Sequence, residues 1–341
     1  MISVPSLQHV SMVKLAVSIY NHRGMRDYIE ECSGHRFDAR CIIDYCGQFI
    51  RENMPNWAPP KFLLEKTLCF LRPIHDEFRR WRHFHRSDLG LDFGDLDIIY
   101  WKCLGSIDYL ETAKRLVCCE KFTLWQRFSV ACFYWLTNDV VRLWEGASPS
   151  EKKTLIKQND SNSFRGPNYR ILKKWISWLR DGAVRERLFS YVYELINLPV
   201  VIPPPIEIWR ELTPESLKNL QRKIVRCKIV KNIGFDNFSR MDTNLQIELF
   251  KENPHSALIM YLRWPLQTEF LEMANRLYSF INGETFLELL HYIISCCKRE
   301  QNQHYFDYKE LVRSFWLQSP ENLKKDVGVM PEFLSIQNHI F

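Results

Sequence analysis

Near the start of the chain, four soft metal ligands fall within fifteen residues: Cys32, His35, Cys41 and Cys46. Thiolates and imidazole at that density could hold a structural zinc, with Ser33-Gly34 available for the turn. The spacing argues against it. Cys41 and Cys46 lie in a stretch of helical period, and five residues along a helix rotate the second side chain away from the first. Thiols packed as small hydrophobes, with a surface histidine, fit the pattern better, and no metal or other cofactor is assigned.

A second group joins His83 and His85 to Arg79, Arg80, Arg82 and Arg86. Histidines two apart on a helix diverge, so they make a poor pair of metal ligands. The four arginines are candidate anion-binding residues, because guanidinium forks match phosphate oxygens and Trp81 or Phe84 could stack a base. A solvated basic face is the competing reading. The third group is more concentrated: Lys218, Arg222, Lys223, Arg226, Lys228 and Lys231 occur in fourteen residues with no acid among them. Like charges without acidic neighbours repel, and an external polyanion or a nearby acidic helix would offset that. Arg222, Lys223, Arg226 and Lys228 join the four arginines as the candidate anion-binding set.

Asp88, Asp92, Asp95 and Asp97 alternate with Leu, Phe and Gly, but they miss the calcium-loop spacing and its closing glutamate, so turn and capping duty suits them better. The sequence contains no phosphate-cradling glycine loop, no G-x-S-x-G, no H-E-x-x-H and no paired carboxylates in an apolar setting. No catalytic residue is assigned, and an enzyme is the less favoured class.

The elements that would carry these residues are helical. Residues 108–145 form the centre. Asp108 with Glu111 opens one helix, with Tyr109, Ala113, Leu116 and Val117 on one face. Thr123 with Gln126 makes a capping box before residues 124–136, which are apolar on almost every side and must be covered all round. A third helix opens at Asp139 with Val140, Leu143 and Trp144. Elsewhere a first helix is expected over 6–20 and another over 37–51. Pro60 begins one with Phe62, Leu64, Leu68 and Leu71, and Pro73 restarts the period for Ile74, Phe78, Trp81 and His85. Residues 198–206 carry four prolines and read as a buried extended strap. Helices resume at Tyr169, and later starts fall at Thr213-Pro214, Asn253-Pro254, Asp307 and Ser319-Pro320. Asn282-Gly283 reads as a helix stop, and the tail from Val329 has no clear period.

Hydrophobic residues at 46% and aromatics at 14% suffice for a large interior, and only 12 Gly with apolar spacing of 3–4 argue against a sheet-rich fold. The 46 Lys and Arg against 40 Asp and Glu leave a mild excess that permits an anionic partner without requiring one. Eleven cysteines with no C-x-x-C pair point to a reducing compartment. The N-terminus does not read as a secretory signal, and no uncharged stretch is long enough to span a bilayer. The polar stretch 147–168 is the expected boundary between an N-terminal helical domain (1–146) and a C-terminal one (169–341), or a loop in one continuous superhelix.

The run Arg127-Phe128-x-x-Ala131-Cys132-x-Tyr134-x-Leu136-x-x-Asp139-x-x-x-Leu143-Trp144 resembles a recurring segment in a lineage-expanded group of uncharacterised arthropod proteins. Residues 7–20 and the segment Tyr308-Lys309-x-Leu311 to Phe315-Trp316-x-x-Ser319-Pro320 are similar to others in that group. Trp135 stands where the pattern leads one to expect a smaller residue. The resemblance implies a helical fold and no site.

The reading is an all-α protein of about a dozen helices in an irregular helix-pair array or superhelix, cytoplasmic, with no membrane contact. It is expected to serve as a scaffold for a protein partner. The alternative is nucleic-acid or polyanion binding through the basic faces at 79–86 and 218–231.

Overall fold

A computed structural model of the chain describes residues 7–33, 39–53, 60–93, 98–160, 167–184, 188, 202, 212–226, 243–299 and 305–341. The fold is all-α: the described residues form well over a dozen helices and no strand. Two compact units emerge. The first gathers residues 1–78, 101–106 and 250–341, and the second residues 79–100 and 107–249.

The first unit begins with α1 (Leu7–Tyr20), α2 (Arg23–Ser33), α3 (Ala39–Asn53) and α4 (Lys61–Leu68). Here α1 packs on both α2 and α4. α1 buries Val13, Ala16, Ile19 and Tyr20, so its inner face is rotated slightly from the expected Val10–Val13–Val17 stripe. α5 (Leu71–His83) starts two residues before Pro73, which occupies its first turn, where no intrahelical N–H is required. The same unit is completed by the helices Thr243–Glu252 (from Phe250 on), Pro254–Tyr261, Phe270–Leu277, Gly283–Arg299, Tyr308–Gln318 and Glu321–Gly328. Its aromatic centre is Phe315, fully buried and ringed by Phe270, Tyr278 and Phe286. Asp307 caps the helix carrying it, accepting from the backbone N–H of Lys309 and Glu310. Asn282 does not stop a helix. Its side chain accepts from Thr285 N–H at 2.9 Å and so begins the next one. The tail is ordered into a 3-10 turn, Pro331–Ser335, and a short helix, Gln337–Ile340. Gly105 has φ +81, and a Cβ there would lie 2.9 Å from both Trp264 and Val13, so only glycine fits.

In the second unit, α6 (Tyr109–Cys118) packs on α7 (Leu124–Phe133), and α7 packs on both α8 (Thr137–Gly146) and α10 (Pro167–Arg180). The expected caps are present: Asp108 accepts from Glu111 N–H, and Thr123 and Gln126 form a reciprocal capping box. Residues 128–135 are all buried, while Leu124, Trp125 and Leu136 are half-buried, so the apolar rod is fully covered over its later part and partly covered at its ends. It ends earlier than expected, at Phe133. Trp135 adopts φ 58, a left-handed conformation that turns the chain and breaks the run to residue 136. Its indole meets Trp175 edge-on at 5.8 Å, and its N–H donates to the Ile202 carbonyl at 2.7 Å. Ile202 is buried, in keeping with the strap; the other residues of 198–206 lie outside the described ones.

The stretch 147–168 is not a loop throughout. Residues Pro149–Asp160 form α9, because Ser148 and Glu151 make a capping box: Glu151 N–H donates to Ser148 Oγ, and Ser148 N–H donates to the Glu151 carboxylate at 2.8 Å. It belongs to the second unit, whose residues run on to 249.

Candidate functional site

The best-defined polar constellation is buried in the second unit. After α5 the chain widens into a π-turn, Phe84–Asp88, closed by Leu89 N–H donating to the Phe84 carbonyl. This turn sets His85 inward at 1 % exposure while His83 stays on the surface, so the two histidines diverge. His85 Nδ1 lies 2.8 Å from the Trp81 carbonyl, and Nε2 lies 2.8 Å from the Tyr134 hydroxyl. A carbonyl can only accept, so the ring proton sits on Nδ1, and Tyr134 O–H donates to Nε2. Aromatic rings enclose the imidazole: Trp81 at 4.1 Å, Tyr134 stacked at 5.8 Å, and Phe93 edge-on at 5.9 Å. Burial drives the His85 pKa down to about 4, against a smaller opposing effect of its bond to Trp81. Burial likewise holds the Tyr134 hydroxyl well above the usual phenol range, with nearby Tyr109 adding to the effect. The pair is therefore neutral and fully hydrogen-bonded near pH 7. Walled from solvent, it cannot reach a substrate. Its work is to pin the end of α5 to the end of α7.

The other end of α5, in the first unit, carries a looser analogue. Tyr20 Oη lies 3.2 Å from His75 Nδ1, and His75 Nε2 lies 3.6 Å from the Glu30 carboxylate, which is itself half-exposed.

The candidate anion-binding residues lie outside the His85 lock. Arg79, Arg80, His83 and Arg86 are exposed and Arg82 is half-buried. Arg79, Arg82 and His83 share one side of α5 at helical spacing, and Arg86 continues the row on the π-turn. Arg86 Nε lies 3.4 Å from Asp92, and both side chains remain well exposed. Trp81 and Phe84 are buried at 1 % and 7 %, because the apolar stripe of α5 continues through the turn. Neither can stack a base, which corrects that part of the expectation. Of the second basic segment, the helix Pro214–Arg226 carries Lys218 exposed, with Thr213 capping its start. The side chains of Arg222, Lys223 and Arg226, and all of Lys228 and Lys231, lie outside the described residues.

Of the zinc candidates, only Cys46 has a described side chain. Cys41 and Cys46 share α3, and Cys46 is fully buried with its S–H directed at Met25 Sδ, 3.2 Å away. The side chains of Cys32, His35 and Cys41 lie outside the described residues. Asp92 pairs with Arg86 and offers its carbonyl to the Gln126 amide at 2.9 Å, while Asp95 and Asp97 are outside them. Among the described residues no three His, Cys, Asp or Glu side chains converge as a metal set, and no helix is long and apolar enough to cross a membrane. The His85–Tyr134 bond is the feature that sequence reasoning missed. The inward position of His85 was visible in the period of α5, whereas no local signal ties it to a tyrosine 49 residues away.

Comparison with known proteins adds no relative: no family model, no curated protein and no solved structure matches this chain.

Proposed function

We propose that this protein is a non-catalytic helical scaffold of the cytoplasm, holding a protein partner through bare apolar side chains near residue 341. One observation carries the reading. Leu317, Val329, Leu334 and Phe341 are 72 %, 84 %, 67 % and 76 % exposed within a span of 25 residues. Phe341 meets Trp316 edge-on and Trp316 stacks on Phe333, so the exposed Phe341 lies on an aromatic cluster. Single exposed leucines are ordinary, but four large apolar side chains bared within 25 residues, one of them on that cluster, suit a contact surface.

The test is affinity capture from cells expressing the full chain, with wild type beside a Leu317→Ser/Leu334→Ser/Phe341→Ser variant. Equal melting temperatures for the two would confirm that the variant is folded. A reproducible partner held by wild type and lost by the variant is expected. A partner held equally by both, or none held by wild type, overturns the proposal.

A further inference from the structure

The positive excess of the chain is not shared between the units. The second holds 27 Lys and Arg against 20 Asp and Glu, and the first holds 19 against 20. On the second unit's surface, Arg79, Arg82, His83 and Arg86 form one row, and Arg79 and Arg82 enter no ion pair among the described residues. From Arg79 to Arg86 the row spans roughly 10 Å at helical rise. We propose that this row binds duplex nucleic acid through its phosphates, without reading sequence.

Three features select that occupant. A duplex presents about one charge per 1.7 Å of its axis, so a row of this length meets several phosphates at once, whereas an acidic peptide must first be ordered. The aromatic residues within the row, Trp81 and Phe84, are buried, so neither can stack on the splayed bases of a single strand. The same burial removes the apolar face that an interfacial helix would sink into a membrane. Arginine suits the role because its fork grips two phosphate oxygens, and Arg86 can exchange its exposed partner Asp92 for a phosphate. The pinned His85 behind the row holds the turn that presents Arg86.

The experiment is fluorescence anisotropy of the full chain with a labelled 20-base-pair duplex of arbitrary sequence, between about 50 and 200 mM salt. Three phosphate contacts lower affinity by roughly 40-fold across that range, a slope of about −2.7 in log–log form. The Arg79→Glu/Arg82→Glu/Arg86→Glu variant should bind far more weakly and lose that part of the slope. If the triple variant does not fold, Arg79→Glu alone should reduce the slope by about 0.9. The proposal is overturned by no duplex binding at 50 mM salt, by an unchanged slope in the folded variant, or by tighter binding of a single strand. Competition by polyglutamate or anionic vesicles as effective as unlabelled duplex would also overturn it.

Discussion

The two units are built from the same kind of helix yet differ in where they place polarity. The first is close to charge balance and leaves four large apolar side chains bare, at Leu317, Val329, Leu334 and Phe341. The second carries the positive excess of the chain, with Arg79, Arg80 and Arg86 exposed among its described residues, and its core holds a histidine–tyrosine bond tighter than the Tyr20–His75 pair of the first. A contact surface in the first would be apolar and weakly dependent on salt. One in the second would be electrostatic and strongly dependent on it. The interiors also differ. Phe315 is held by aromatic packing, which is insensitive to acid, while His85 is held in one protonation state.

That contrast can be broken first at Phe315. Phe315→Ala removes a fully buried ring touching Phe270 and Phe286 and should cost about 3–5 kcal/mol. In native-state hydrogen exchange, the helices Phe270–Leu277 and Gly283–Arg299 should lose protection before α7 does; uniform loss would mean that the two units unfold as one.

Acid should act the other way. The folded pKa of His85, about 4, lies below the unfolded value of about 6.5, so between those values the unfolded chain takes up a proton that the folded chain refuses. The stability contributed by the neutral histidine is complete above pH 6.5 and is lost as pH falls through 4, about 3 kcal/mol in all. Half-buried His9, beside Phe70 and Trp264 in the first unit, is shifted in the same direction by burial and adds a smaller share. Urea melts at pH 7 and pH 4 should show the loss, and His85→Gln should flatten it. Equal pH dependence in that variant would remove His85 as the cause. At constant pH, Tyr134→Phe leaves His85 Nε2 without its donor and should cost about 1–3 kcal/mol, read from the same melts.

The smallest effect sharpens the comparison locally. Thr123→Ala removes the side-chain half of the capping box on α7 and should cost about 1 kcal/mol, seen as a fall in melting temperature without loss of fold. A cost above about 3 kcal/mol would mean that the helix start supports more than its own first turn.

Much of the helical framework was legible in the chain. Asp108, Thr123, Thr213, Asn253 and Asp307 cap helices where their spacing said they would, because a cap is an interaction across two or three residues. Burial of Ile74, Phe78, Trp81 and His85 followed from period alone. Local signals failed where two short-range rules competed. Asn282-Gly283 satisfies a stop and a start equally well, and Ser148 with Glu151 hides a helix start inside a polar stretch.

By itself, then, the amino-acid order determined an all-helical protein, most of its helix starts and the inward side of its core helices, since these depend on neighbours one to four residues apart. Only the tertiary structure decided that Tyr134 bonds His85, that Trp135 turns back through a left-handed residue onto Trp175, and that Trp81 and Phe84 are sealed away from the basic row. Those outcomes rest on groups dozens of residues apart meeting in a close-packed interior, where shape and polar satisfaction select the partner and local spacing carries no record of it.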